Sequence, residues 1–513
     1  MKVVNDKALL VRAYNTNEIL SAIPRSADTQ DGVAVYWGLE EAEKLVSLGF
    51  KDTPSPLLRD YEWTSKLKPF DHQKTTASFL SIRRKAFCFN EQGTGKTASV
   101  IWAADYLMKL GEVKRVLVLC PLSIMKSAWQ EDLFKFAMHR TCSIAHGSAK
   151  QRENIIAAGA EFVVINFDGV GTVRDAIRNG GFDLIVVDEA SAYKNPQTNR
   201  WKILRKIVVE TNPRVWMLTG TPAAQSPLDA YGLAKMLDTK HCPRYHGMYR
   251  DSVMRKVTQF KWVPKPEAKQ IVHKILQPAI RFEKKDCLDL PDVTYTEREA
   301  PLSPQQKKYY DKLKSQMLFE AAGEEVSAVN AAARINKLLQ ISGGAVYTDT
   351  GDVLEFDIKG RLNIIVEAIE ETSNKVLVFV PFTHTIELLK ARLDKEGIPA
   401  EIINGKVPVN RRSDIVERFQ KNKDPRVLII QPQAASHGLT LTAADTIIWY
   451  APVTSVETYL QANARIDRPG QKHPMTVVHI KGSPVEDRLY SMLSSNIDNH
   501  KKIIDLYRDE VGG

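Results

Sequence analysis

From about residue 67 onward, short runs of β-branched and apolar residues alternate with stretches of helical patterning. In the first half the runs are Ala86–Phe89, Val116–Cys120, Phe162–Ile165, Leu184–Val187 and Val215–Leu218. In the second half they are Val376–Val380, Glu401–Ile403, Val427–Ile430, Thr446–Tyr450 and Thr476–Ile480. Strands that return through helices lie parallel, so the pattern argues for βαβ units and an α/β fold. Each half has enough runs for its own doubly wound parallel sheet. A chain of 513 residues is long enough for both.

The remaining stretches read differently. Residues 1–66 form a small N-terminal extension that ends in the turn-rich Thr53-Pro54-Ser55-Pro56. Residues 67–222 make a first lobe and 351–495 a second. Between them, 223–350 is dominated by lysine-rich helical stretches, Pro304–Ala321 and Val326–Gln340, and is expected to be helical insertions and a linker. Residues 496–513 are expected to form a C-terminal helix. No short-period repeat and no low-complexity segment is present.

Lysines and arginines exceed acids by 71 to 61, a formal charge of +10 that suits a polyanionic partner. The basic residues come in short clusters such as Arg83-Arg84-Lys85, Lys307-Lys308 and Arg411-Arg412, most of which fit solvated faces. No run approaches the roughly 18 apolar residues of a membrane span. The start, Met1-Lys2-Val3-Val4-Asn5-Asp6-Lys7, carries charges where a signal peptide needs an apolar run, so the chain is expected to stay where it is made. None of the five cysteines belongs to a C-x-x-C pair, and His241, Cys242 and His246 lack a second cluster at zinc spacing. Cys88 and Cys120 sit in apolar runs and read as core thiols.

The sharpest local signal is Asn90-Glu91-Gln92-Gly93-Thr94-Gly95-Lys96-Thr97. It follows the run Ala86–Phe89 and precedes a helical pattern. In that context Gly93, Thr94 and Gly95 let backbone N–H groups approach phosphate oxygens, and the helix N-terminus adds positive potential. Lys96 reaches the β and γ phosphates of a bound ATP, and the Thr97 hydroxyl suits Mg²⁺. The run Leu184–Val187 leads into Asp188-Glu189-Ala190-Ser191. Acids at a strand's carboxyl end lie where α/β sheets bind ligands. Asp188 is a candidate for holding Mg²⁺ and Glu189 for taking a proton from attacking water. Alone, two such acids would fit a helix N-cap. The glycine loop some 90 residues upstream, between Lys96 and Asp188, favours the catalytic reading. Val215–Leu218 leads into Thr219-Gly220-Thr221-Pro222, where hydroxyls at a strand end can link a phosphate site to a neighbouring surface. In Gln461–Gln471, Arg465 and Arg468 stand three apart, which on a helix places them on one face. Their guanidinium forks suit γ-phosphate oxygens.

Taken in order, these segments resemble superfamily-two helicases, and within them the Swi/Snf-type ATPase family. Leu67–Gln73 is similar to the adenine-sensing Q motif, Asn90–Thr97 to motif I and Val116–Trp129 to motif Ia. Asp188–Asn195 (DEASAYKN) resembles motif II, Leu218–Gln225 motif III and Lys375–Thr383 motif IV. Ser436–Asp445 resembles motif V and Gln461–Gln471 motif VI, so the likeness runs from about 67 to 495. The Lys-Asn after motif II, the segment Pro301–Tyr310 and the R-x-x-R-x-G-Q ending of motif VI point to this family rather than to strand-prying relatives. Four features depart from the pattern: Asn90 replaces the usual first acid of motif I, Ser191 stands for a frequent His and Asp467 for another, and motif V lacks a Gly-Gly pair, having Ala434-Ala435-Ser436-His437.

The resemblance implies two RecA-like lobes that use ATP and Mg²⁺. Lys96, Asp188, Glu189, Arg465 and Arg468 would be catalytic. Gln73, Gly93, Thr94, Gly95, Lys96, Thr97 and Gln461 would bind nucleotide, and Thr97 and Asp188 the metal. Ser191, Thr219 and Thr221 would couple the site to the lobes. By position, Ser123, Asn166, Thr221, Thr383, Gly405, Arg411 and Ser436 would touch a phosphate backbone without reading bases. The activity implied is translocation on double-stranded DNA. The alternatives are a strand-separating DNA or RNA helicase and, in another class, an inactive nucleic-acid-binding scaffold. The expected setting is the cytoplasm of a bacterium or of a virus-infected host cell, or the nucleus if the source is eukaryotic.

Overall fold

The structure is a computed structural model. It describes the chain apart from residues 14–15, 64–67, 224–225, 258–261, 288–289, 324–327, 348–352, 373, 436–438 and 495–513, and apart from the side chains of 123, 127, 317–331, 409–410 and 435. The expected C-terminal helix, 496–513, lies outside the described residues. The chain divides into two compact units, one of residues 1–223 with 227–287 and one of residues 224–226 with 288–513.

The first unit opens with strands β1 (Lys2–Val4), β2 (Ala8–Val11), β3 (Ser26–Thr29) and β4 (Gly32–Tyr36), which pair antiparallel in the order β1-β2-β4-β3. Alternation places Leu9, Val11, Val33 and Val35 on one face, where Ile19, Ile23 and Leu45 close a small core. This module is also pinned to the rest of the first unit. Glu43 pairs with the buried Arg214 at 2.7 Å. Arg83 donates to the Lys51 carbonyl, and Tyr61 donates to the buried Asp105 carboxylate at 2.7 Å.

Among the described residues, the first unit's main sheet has seven strands: β5 (Lys85–Cys88), β6 (Val116–Cys120), β7 (Cys142–Ala145), β8 (Phe162–Asn166), β9 (Leu184–Asp188), β10 (Arg214–Leu218) and, after a β11 (Met254–Lys256) and β12 (Trp262–Pro264) hairpin, β13 (Ala279–Ile280). They are all parallel, in the order β13-β5-β10-β9-β6-β8-β7. Successive residues feed opposite faces. Phe87, Leu117, Val163, Ile185 and Val215 enter one core, while Cys88, Cys120, Val164, Val186 and Trp216 enter the other. Burial on both faces explains why these strands read as continuous apolar runs.

The second unit holds β14 (Val293–Glu299), a small β15 (Ala345–Tyr347) and β16 (Val353–Glu355) pair, β17 (Lys375–Phe379), β18 (Ala400–Ile403), β19 (Val427–Ile430), β20 (Ala444–Trp449) and β21 (Met475–Lys481). Its main sheet is parallel throughout, in the order β14-β21-β20-β17-β19-β18, with a core on each face. Helices Pro304–Gly323 and Ala328–Gly343 share a further cluster with helix Pro484–Ser494. The fold class is the expected one: α/β, with two doubly wound parallel sheets. The stretch 223–350, expected to be helical insertions and linker, also lends β13 to one sheet and β14 to the other. Both are edge strands, and β14 is largely exposed and charged, so neither has the apolar run that marks a central strand. Among the described residues no helix is long and apolar enough to cross a membrane.

Candidate ATP-binding and hydrolysis site

Strands β5, β10 and β9 are neighbours, and their register decides where the site forms. Leu218 of β10 lies opposite Cys88 of β5 on one side and Asp188 of β9 on the other. The chain therefore leaves the sheet at one level on three adjacent strands. The glycine loop follows the first, Thr219-Gly220-Thr221 the second and Glu189 the third. The Thr219 N–H donates to the Cys88 carbonyl at 3.1 Å, extending the ladder one residue beyond the strands.

Loop conformation follows from its glycines. Gly93 and Gly95 have φ of 86° and 81°, in the left-handed region. A Cβ at Gly95 would stand 2.1 Å from the Gln73 side-chain nitrogen, so a larger residue would both strain the backbone and displace Gln73. The helix Lys96–Lys109 starts at the next residue, with Gly95 as its N-cap. Lys96 Nζ donates to the Asn90 and Glu91 carbonyls at 2.9 and 3.1 Å, so its charge sits within the curve of the loop. Gln73 braces the same loop. Its Oε1 accepts from Phe70 N–H at 3.1 Å and its Nε2 donates to the Thr94 carbonyl at 3.1 Å. Thr97 is half-buried in the first helical turn.

Asp188 is 7% exposed. Its Oδ2 accepts from the Trp129 indole at 2.9 Å and its Oδ1 from the Glu189 N–H at 3.0 Å. Burial pushes its carboxyl above the ordinary carboxylate range, against the opposing pull of the Lys96 charge and the indole. Glu189 has φ of 53°, a left-handed conformation that is uncommon and costly for a side-chain-bearing residue. Ser191 follows in the 3₁₀ turn Ala190–Tyr193. Thr219 is fully buried, and its hydroxyl accepts from the Thr221 N–H at 3.2 Å. The Thr221 hydroxyl is buried, with no hydrogen-bond partner among the described residues.

In the second unit, the arginines depart from expectation. Helix Val456–Asn463 ends before them, so Arg465 and Arg468 lie in the turns that follow and not on a helical face. The Leu439 carbonyl gathers them instead, accepting from each guanidinium at 3.2 Å. Arg465 also donates to the Gln461 carbonyl at 2.7 Å, and Arg468 to the Thr440 hydroxyl at 2.8 Å. The Gln461 amide is buried and turned to Glu457 within its own helix.

Among the described residues, Asn166, Thr383, Gly405 and Arg411 lie at or after the carboxyl ends of strands in their own sheets. Asn166 ends β8, but its Oδ1 is engaged by the buried Arg152 at 2.9 Å. Thr383 opens helix Thr383–Lys395, Gly405 N–H donates to the Gln431 side chain at 3.2 Å, and Arg411 is exposed on helix Val409–Lys421. Ser436 and the Ser123 side chain lie outside the described residues.

Two contributors escaped the sequence. Trp129 emerges from a π-helical turn, Met125–Gln130, whose wider winding aims its ring at β9. No period in the sequence marks it. Asn90 is 1% exposed and ties three segments together: Nδ2 donates to Thr76 Oγ1 at 2.8 Å, and Oδ1 accepts from Phe282 N–H at 3.0 Å. Its departure from the motif pattern was the available signal. Glu91 Oε2 accepts in the same way from Lys284 N–H at 2.9 Å, so the stretch after β13 holds the loop from behind.

Comparison with known proteins identifies the family. A family model described as SNF2-related domain matches residues 72–343, and one described as helicase conserved C-terminal domain matches 360–470. Over 424 residues the chain is 27% identical to an uncharacterized ATP-dependent helicase of Mycoplasma genitalium, covering 81% of this chain and 40% of that protein. Over 438 residues it is 25% identical to chromodomain-helicase-DNA-binding protein 1-like of Mus musculus, covering 81% and 47%. A putative protein of Acyrthosiphon pisum secondary endosymbiont phage 1 is 24% identical, covering 82% and 94%. The SWI2/SNF2 ATPase core of Sulfolobus solfataricus, solved with double-stranded DNA, is 22% identical with a TM-score of 0.42, covering 86% of this chain and 94% of that one. The chain thus spans less than half the length of the first two of these relatives. Since the SNF2-related model covers more than half of the 513 residues, and the motifs it spans are the ones that build the site, the chain belongs to the SNF2-related, Swi/Snf-type family.

Proposed function

We propose that this chain hydrolyses ATP and uses the energy to move along double-stranded DNA. The observation that supports the ATP-hydrolysis part of this reading is the shared register of β5, β10 and β9, in which Cys88, Leu218 and Asp188 end neighbouring strands at one level, so that the glycine loop, Thr219 and Glu189 all follow from the carboxyl end of one sheet. The Gly93–Gly95 backbone would cradle the phosphates, and Lys96 would leave its loop carbonyls for the β and γ oxygens. Thr97 and Asp188 are hard oxygen donors that suit Mg²⁺, which when bound would neutralise phosphate charge. Asp188 keeps lone pairs beyond those given to Trp129 and Glu189 N–H. Glu189 would take the proton from the attacking water. Its strained backbone supports that role, because strain of this kind is retained where function needs it. Arg465 and Arg468 would stabilise charge on the transferring phosphate.

The substrate reading is tested by measuring ATP turnover with duplex DNA, single-stranded DNA, forked DNA and RNA in parallel. Duplex DNA is expected to stimulate most, and triplex displacement to occur without strand separation. Stimulation by RNA and not by duplex DNA would overturn it. Lys96→Ala should abolish phosphate release. Release equal to that of the parent chain would mean that the site does not hydrolyse ATP.

A further inference from the structure

The chain's positive charge is unevenly placed. Residues 240–274 carry nine lysines and arginines against two acids, an excess of seven out of a net +10 for the whole chain. None of the helicase-like motifs falls in this stretch. It forms helix His246–Val253, the β11–β12 hairpin and helix Ala268–Ile275. These elements are seated firmly: Tyr249, Val253, Met254, Ala268 and Ile275 enter one of the first unit's two large cores. The Lys265 N–H donates to the Val253 carbonyl at 2.9 Å, and Met254 pairs with Pro264, so the two helices and the hairpin are neighbours.

What they leave outside is basic. On helix Ala268–Ile275 the inward positions are Ala268 and Ile275, and the exposed ones are Lys269, Gln270, His273 and Lys274. Arg255 and Lys256 are exposed on the hairpin, and Arg244 is exposed beside Tyr245, itself 59% exposed. Arg244, Arg255, Lys256, Lys265, Lys269 and Lys274 make no ion pair with any described residue, whereas Arg250 of the same stretch pairs with Asp251 at 3.0 Å. Unneutralised charge on an ordered surface raises the local potential and attracts a polyanion. The exposed positions of helix Ala268–Ile275, which are Lys269, Gln270, His273 and Lys274, are all polar. Lysines along such a face are point charges suited to phosphate oxygens.

We infer that the 240–274 surface is a second nucleic-acid contact, which binds the phosphate backbone of duplex DNA apart from the contacts expected of the helicase motifs. The inference rests on the duplex-DNA reading of the proposed function. Its role is to hold the duplex while the motif contacts release and rebind, and it carries no base specificity, since phosphate contacts position without reading sequence.

The test compares the full chain with the variant Lys265→Gln/Lys269→Gln/Lys274→Gln, using a labelled blunt DNA duplex over a range of salt concentrations. Each phosphate that is no longer neutralised lowers the log–log salt slope by roughly 0.9, so the triple variant should lose about 2.7. A fourfold rise in salt should then cost the parent chain roughly 40 times more affinity than the variant. ATP turnover without DNA should be unchanged, because the three lysines stand on elements that contribute nothing to the nucleotide loop; this also checks folding. Arg255→Gln/Lys256→Gln serves as a second, independent variant. Equal slopes in parent and variants would overturn the inference, as would a slope change seen with duplex RNA but not duplex DNA. Should the parent chain itself fail to bind duplex DNA, the proposed function fails with it. Should the parent bind normally and the variants match it, only this inference is lost.

Discussion

At the scale of single residues, Asp188 sits in a conflict between stability and chemistry. It is buried, and its carboxyl is pushed above the ordinary range because the charged form is poorly solvated there. Removing the charge while keeping an acceptor for Trp129 should relieve that cost. We therefore expect Asp188→Asn to abolish ATP turnover while stabilising the first unit by on the order of 1 kcal/mol in thermal or denaturant unfolding. A variant both inactive and markedly less stable would mean that the carboxylate is held for structure. Trp129 and Asn90 are legible only in three dimensions. Their partners lie in distant parts of the chain, Asp188 for the indole and Phe282 for the amide, and no local pattern encodes such pairings.

Among elements, the second unit is organised by buried polar groups at one end of its sheet. Arg361 and Glu486 form a buried bidentate pair at 2.8 Å, which joins helix Lys359–Glu370 to helix Pro484–Ser494. Close by in sequence, His479 of β21 stacks on Tyr490 with ring centres 4.2 Å apart and pairs with the Tyr459 hydroxyl at 2.9 Å. Burial pushes its imidazole down to about 4 from an ordinary value near 6.5. The folded state thus holds the neutral ring, whereas the unfolded chain takes up a proton below 6.5. Its stabilising contribution is complete above pH 6.5 and is lost as the pH falls toward 4. The loss is at most about 3 kcal/mol. Unfolding followed by tryptophan fluorescence should show this decline, and His479→Gln should flatten it. An unchanged pH profile in the variant would assign the acid sensitivity elsewhere.

For the whole molecule, the second unit's arginines are proposed to act in hydrolysis. Arg465→Ala and Arg468→Ala are expected to lower ATP turnover by about a thousandfold while sparing nucleotide affinity at the Lys96 loop, as for arginines that act on the transition state. Loss of affinity with turnover retained would assign them to ground-state binding. The 240–274 surface belongs to this scale too: its basic excess lies within one stretch of sequence, and the fold turns those charges outward while Tyr249, Val253, Ala268 and Ile275 enter the core.

The apolar runs dictated two parallel sheets, since strands of that composition must be covered on both faces and strands linked by helices must run parallel. The glycine loop and the Asp-Glu pair were likewise readable, because steric permission and charge are properties of the residues themselves. Strand order was not readable. That β10 lies between β5 and β9, which levels the three site segments, depends on β10 pairing with β5, a strand far upstream along the chain, as well as with β9. Edge strands β13 and β14, half-exposed or charged, carry no local signature and become recognisable only once a partner strand is in place. The arginines of 465 and 468 belong to the same class: spacing suggested a helix, but both donate to the Leu439 carbonyl of a distant turn, and the buried Arg465 guanidinium goes where its hydrogen bonds can be met.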